Sequence, residues 1–127
     1  ATLLSGPTGA GDEVWVYAPE GRVHTMSKSA SELPGVTGEF VGITRLSGEV
    51  ATAMVRAFNG FVETHDHARM DYETGALVAV SRLVPIAAVL VPDLCWGEID
   101  NERHLARVVQ HVWPALHQRA ADRSVRD

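Results

Sequence analysis

Basic residues are scarce in this 127-residue sequence: 11 Lys and Arg stand against 16 Asp and Glu, a formal charge of −5. A general nucleic-acid binder usually presents a cationic face, so the balance argues against that class. It leaves a nucleotide substrate open, because a few local cations or a metal suffice to hold phosphates. Cysteine is reduced to Cys95, so no internal disulfide forms and nothing demands an oxidising compartment. No apolar run reaches the ~20 residues that span a bilayer; the longest, Pro85 to Pro92, is strand-sized. The start also lacks the basic and apolar stretches of a signal peptide, which makes cytoplasm the expected location. An initial Met is missing too. Ala1 leads into the Gly/Pro/Ser-rich run Ser5 to Gly11, and residues 1–11 are expected to be a linker or loop. Processing or a longer parent chain accounts for such a start.

What is present is ordinary for a globular protein, 46% hydrophobic and 21% charged, and fits one compact domain or part of a larger one. Glu13 to Ala18 and Arg22 to Lys28 are strand-like runs around Pro19-Glu20-Gly21, which predicts a β-hairpin. Glu39 to Leu46 reads as a third strand. The period then changes: Val50, Met54, Ala57, Phe58 and Phe61 fall on one helical face. A second helix is expected to start with Asp71 as N-cap and to bury Tyr72, Ala76, Ala79, Val80 and Leu83. Pro85 to Val91 reads as a buried strand. Asn101 caps a third helix whose apolar face is Leu105, Val108, Val109, Val112 and Leu116, with Pro114 expected to kink or end it. Residues 120–127 read as a frayed tail. The order predicts an α/β fold: a layered mixed sheet, flanking helices and a β-hairpin, with the domain body over residues 12–119.

The first chemical candidate is Trp96-Gly97-Glu98-Ile99-Asp100-Asn101. In an extended segment residues i and i+2 share a face, so Glu98 and Asp100 project together while Ile99 anchors in the core. Two converging carboxylates suit Mg²⁺. The competing explanation is a helix start, where Asp and Asn are favoured by capping and the helix dipole. A second candidate, His65-Asp66-His67 with Asp71, has ligand types suited to Zn²⁺, but its polar setting between two helices reads better as a solvated loop. His104, His111 and His117 read as surface positions, and Cys95 as a small buried hydrophobe.

Lys28, Gly38-Glu39-Phe40-Val41-Gly42-Ile43, Asp71-Tyr72-Glu73 and Trp96-Gly97-Glu98-Ile99-Asp100-Asn101-Glu102-Arg103-His104-Leu105 follow one another in an order that resembles a known family. The chain is similar to the C-terminal half of the small nucleotidyltransferases that activate phosphocholine, aminoalkylphosphonates and sugar phosphates. The likeness covers roughly residues 12 to 112. It implies the C-terminal part of a nucleotide-diphospho-sugar-transferase-like, Rossmann-like fold. It further implies that Asp100, with Glu98, binds Mg²⁺ and that Lys28 contacts phosphate. Trp15, Glu39, Asp71, Tyr72, Glu73 and Trp96 would belong to the substrate pocket, the two Trp offering faces to an ammonium head. The implied partners are a nucleoside triphosphate, CTP by preference, and a small phosphorylated or phosphonate acceptor.

The sequence also departs from the family. The helix after Asp100 begins Asn-Glu-Arg-His-Leu in place of Thr-x-x-Asp-Leu. The Gly-rich loop, phosphate-binding Lys and first metal-binding Asp of the family's N-terminal half are not recognisable. The chain is therefore expected to be the second half of a longer protein or to pair with a separate subunit, and to expose an apolar edge or face where the first half packs. Homo-oligomerisation is a related expectation; nucleic-acid and membrane partners are not expected. Two other functions remain open: a sugar-1-phosphate nucleotidyltransferase, and a non-catalytic ligand-binding or assembly domain.

Overall fold

The computed structural model describes residues 1–124 and divides the chain into two units, Ala1–Pro92 and the chain from Asp93 onward. In the first unit five strands form one mixed sheet. They are β1 (Thr2–Ser5), β2 (Trp15–Tyr17), β3 (Thr25–Ser27), β4 (Gly38–Thr44) and β5 (Ala88–Val91), in spatial order β3-β2-β4-β1-β5. All neighbours are antiparallel except β1 and β5, which run parallel.

The expected linker over residues 1–11 is corrected at its start, because Thr2–Ser5 is a strand held on both sides. Its pairing with β4 slips between Thr2 and Leu4, opposite Gly42 at φ +82°, a conformation that favours glycine. The hairpin formed by β2 and β3 lies where the sequence places it, turned by Pro19–Gly21.

Opposed residues on neighbouring strands share a face. Leu4, Phe40, Val16 and Met26 line one face, against which helix α1 (Gly48–His65) and helix α2 (Val78–Ser81) pack. Ser47 caps α1 by accepting the Val50 N–H, and Asp66 ends it in the left-handed region. Of the expected face Val50, Met54 and Ala57 reach the core together with Ala53, Phe61 is half-buried and Phe58 is exposed.

Helix α2 follows a wide turn, Tyr72–Leu77, in which the Asp71 carbonyl accepts from both Gly75 and Ala76. The extra residue rotates everything after it by about 100°, one residue's worth of helix. Of the expected apolar face Ala76 and Val80 are buried, but it is corrected at its ends: Leu77 and Val78 join the core, Tyr72 is exposed, and Leu83, in the turn after α2 ends at Ser81, is 77% exposed. The expected buried strand at residues 85–91 is also corrected. It shortens to β5, an edge strand, and leaves Val89 and Leu90 exposed.

In the second unit, residues 93–101 form a loop with no strand pairing, followed by helix α3 (Glu102–Arg107), a wide helical turn (Val108–Val112) and helix α4 (Trp113–Ser124). Asn101 caps α3, its Oδ1 accepting the His104 N–H at 3.0 Å. Pro114 does not end the helix as expected: it follows Trp113 just past the wide turn Val108–Val112, and the helical run continues beyond it to Ser124, through residues expected to fray. Residues 125–127 of the expected tail lie outside the described residues. Val112 is buried, but Leu105, Val109 and Leu116 are exposed: the loop covers only one strip of the expected apolar face. That strip is where Gly97 sits, so close that a Cβ there would lie 2.7 Å from Val108 Cγ2. Among the described residues no helix is long and apolar enough to cross a membrane.

Candidate functional site

The residues singled out from the sequence fall into two groups, one in each unit. In the first unit Lys28 follows β3 and Asp71 precedes the wide turn. Lys28 Nζ donates to Asp71 Oδ2 at 3.0 Å, and Thr74 Oγ1 donates to the same oxygen at 3.3 Å. Asp71 is therefore not the side-chain cap expected of it: its carboxylate is spent on Lys28 and Thr74, and its backbone carbonyl serves the turn. The hydrogen bond to Asp71 and its negative charge hold the Lys28 ammonium above its ordinary value, with Glu73 adding to the field. Hydrogen bonding from Lys28, then its charge, holds Asp71 below the ordinary carboxylate value. Tyr72, largely exposed, tilts against Phe40 with ring centroids 6.1 Å apart.

Both partners of the Lys28–Asp71 pair are more than half exposed, so its weight lies in positioning. Its small contribution to stability is present above the ordinary Asp range and lost as pH falls through the depressed Asp71 value. At the other end it is present below 10.5 and lost as pH rises through the raised Lys28 value. In Lys28→Gln the Asp71 titration is expected to move up toward 3.8, which carboxyl-carbon NMR reads directly. An unmoved midpoint would show that the pair does not persist in solution.

A cavity of about 370 Å³ lies beside the pair, lined by Thr25, Ser27, Lys28, Glu32 and Thr74 with Met26 and Leu33. Ser27 Oγ donates to Glu32 Oε2, so Glu32 is already engaged.

Trp15 and Glu39 stand opposite one another across β2 and β4, in a row that runs Ser5, Glu39, Trp15, Ser27 over four strands. Trp15 is half-buried, and Glu39 is 3% exposed. The Glu39 carboxylate accepts from Thr8 N (2.7 Å) and Thr8 Oγ1 (2.8 Å), which fastens the Gly/Pro-rich loop over this face. Charge-assisted bonds to a buried carboxylate are the strong kind. Glu39→Ala is expected to cost about 1–3 kcal/mol by leaving those donors without their acceptor, and to speed amide exchange at Thr8. Unchanged melting and exchange would refute this fastening role.

In the second unit Glu98, Ile99 and Asp100 are all exposed, Ile99 at 53%. The expected anchoring of Ile99 is corrected: no neighbouring strand imposes an alternation here, and half-buried Leu94, Cys95 and Trp96 with Gly97 make the inward contacts. Cys95 Sγ lies 3.7 Å from the Val112 carbonyl oxygen. Asp100 Oδ2 is 3.7 Å from His104 Nδ1, and the Asp100 N–H donates to that nitrogen at 3.4 Å. His104 is buried, which corrects its reading as a surface residue, and Asn101 Nδ2 lies 3.3 Å from its Nε2. The missed signal is the i, i+4 spacing of Asp100 and His104, which brings two side chains together at a helix start.

His65, Asp66 and His67 are exposed, but the expected loop begins only after His65, which is the last residue of α1; its ring stacks on Phe61 at 4.1 Å between centroids. Compared with models of known protein families, the chain matches none.

Proposed function

We propose that this chain is the acceptor- and metal-binding half of a Mg²⁺-dependent nucleotidyltransferase, with CTP the preferred nucleotide. The acceptor is a phosphocholine- or aminoalkylphosphonate-type molecule, and pyrophosphate is released. The observation that carries the reading is the pairing of Lys28 with Asp71, 43 residues apart, at the head of the Asp71-Tyr72-Glu73 segment. One cation for a phosphate is thereby set beside two carboxylates and an exposed aromatic ring, the chemistry that receives an ammonium group. The exposed apolar edge of β5, which carries no charged or proline residue, agrees with a strand surface meant to be covered by further chain.

Glu98 and Asp100 fit Mg²⁺ as exposed, hard oxygen donors, and the 3.7 Å from Asp100 Oδ2 to His104 leaves that oxygen available to a ligand. When bound, the metal would supply neutralisation of phosphate charge. The acceptor's phosphate oxygen, ionised near neutral pH, forms the new bond to the α-phosphorus. The bond to the β-bridging oxygen breaks, and pyrophosphate leaves with that electron pair. No general base is required, so the work of this chain is positioning and electrostatics. Asp71 orients the Lys28 ammonium until substrate phosphate shares it, and Asn101 fixes the helix start next to Asp100.

One observation favours a second reading, a sugar-1-phosphate acceptor: the cavity beside Lys28 carries the hydroxyls of Thr25, Ser27 and Thr74. The test is pyrophosphate release by the protein with both halves of its site present. CTP, UTP and TTP are each offered with phosphocholine, 2-aminoethylphosphonate or glucose 1-phosphate. Turnover of an ammonium-bearing acceptor with CTP is expected. Turnover of glucose 1-phosphate alone would establish the second reading, and no turnover of any pair would overturn both.

A further inference from the structure

Away from the groups described above, a cavity of about 260 Å³ opens in the first unit between the end of the hairpin turn and the end of helix α2. Arg22, His24, Ser81 and Arg82 line it over Val23 and Pro85. Two backbone links set this arrangement. Arg22 bridges to Ala87, and the Val23 N–H donates to the Ile86 carbonyl at 2.9 Å, which holds the turn against the segment that follows α2. Val23 is buried and forms a fixed floor, so the two arginines extend from anchored backbone.

The charge of this concavity runs against that of the chain. Acidic residues outnumber basic ones 16 to 11, yet none of the residues lining the cavity is acidic and two are arginines. Among the described residues neither Arg22 nor Arg82 makes an ion pair, and Glu20, two positions from Arg22, makes none with it. Arginine stays charged at all relevant pH values and presents a planar fork of N–H donors matched to phosphate oxygens. The end of a helix ordinarily disfavours an anion through its free carbonyls. Here the Val78 carbonyl already accepts from Ser81 Oγ, and that of Val80 from the Leu83 and Val84 amides. Because Ser81 spends its proton on Val78, it offers the cavity an acceptor, which suits the P–OH of a monoprotonated phosphate.

We propose that the Arg22–Arg82 cavity is a binding site for the phosphate group of a small soluble phosphate ester, separate from the Lys28 group. The two guanidinium groups take the non-bridging oxygens, and Ser81 takes the remaining P–OH. The floor of Val23 and Pro85 limits the ligand to one phosphate and a small body.

The test uses inorganic phosphate as the probe, titrated into the complete chain at low ionic strength while the arginine Nε–H signals are followed by NMR. Saturable shifts at Arg22 and Arg82 are expected. Arg22→Gln and Arg82→Gln should each weaken binding at least tenfold, Arg82→Lys should fall between, and Lys28→Gln should leave it unchanged. Both arginine side chains are on the surface, so amide spectra of the variants should match wild type away from the cavity. Non-saturating shifts in the wild-type protein would overturn the site without recourse to any variant. So would binding that survives both glutamine substitutions or is lost with Lys28→Gln. None of these outcomes depends on nucleotidyl transfer.

Discussion

Asp100→Asn is expected to reduce Mg²⁺-dependent pyrophosphate release about 100-fold or more, the scale on which a group aligned to developing charge acts. The substitution keeps the shape of the side chain and removes its charge. Asp100 is exposed, and the cap of α3 belongs to Asn101, so thermal stability should stay within about 0.5 kcal/mol of wild type. Lys28→Ala should produce a loss of similar size, and Lys28→Arg should recover part of it, because the charge returns with a different donor geometry. Steady-state rates measured against Mg²⁺ concentration provide the check. Normal turnover by Asp100→Asn would remove Asp100 from the metal site, whatever became of Lys28.

Leu77→Ala is expected to destabilise the protein by about 2–5 kcal/mol, the range for truncating a fully buried leucine and leaving a cavity. Leu83→Ala should cost next to nothing, since that side chain is 77% exposed. Denaturant unfolding of the two variants tests directly which of the two leucines sits in the core. A regular helix from Tyr72 that continued past Ser81 would put Leu83 on the apolar face with Tyr72, Ala76 and Val80, and would reverse the ranking of the two variants. Comparable losses from both would mean that Leu83 is buried in solution and that the helix does not end at Ser81.

Much of the α/β reading was legible because it rested on local signals. Alternating β-branched and aromatic residues around Pro19–Gly21 are enough to define a hairpin. Asn101 carries the oxygen that accepts a first free amide of α3, and that cap forms, whereas the side-chain cap expected of Asp71 does not. The mixed five-stranded sheet agrees with the layered expectation. The candidate site was legible residue by residue, through the types and order of Lys28, Asp71-Tyr72-Glu73 and Glu98-Ile99-Asp100. Its partnerships were not. That Asp71 spends its carboxylate on Lys28, and Glu39 its own on Thr8, depends on contacts 43 and 31 residues apart in the chain. No periodicity encodes such separations.

The sequence by itself determined the helix start at Asn101, where the hairpin turns and which side chains carry charge, because each depends on residues within one or two turns of chain. The tertiary structure decided the rest. Thr2–Ser5 became an inner strand because β4 and β5 flank it, although the Gly/Pro/Ser-rich run Ser5 to Gly11 made the whole start of the chain resemble a loop. Leu77 is in the core and Leu83 is not, because the wide turn faces Leu77 inward and the chain leaves the helix after Ser81. Arg22 and Arg82, 60 residues apart, came to line one cavity because Val23 pairs with Ile86. Burial and charge pairing are properties of neighbours in space, and a linear pattern specifies those only where the chain folds on itself locally.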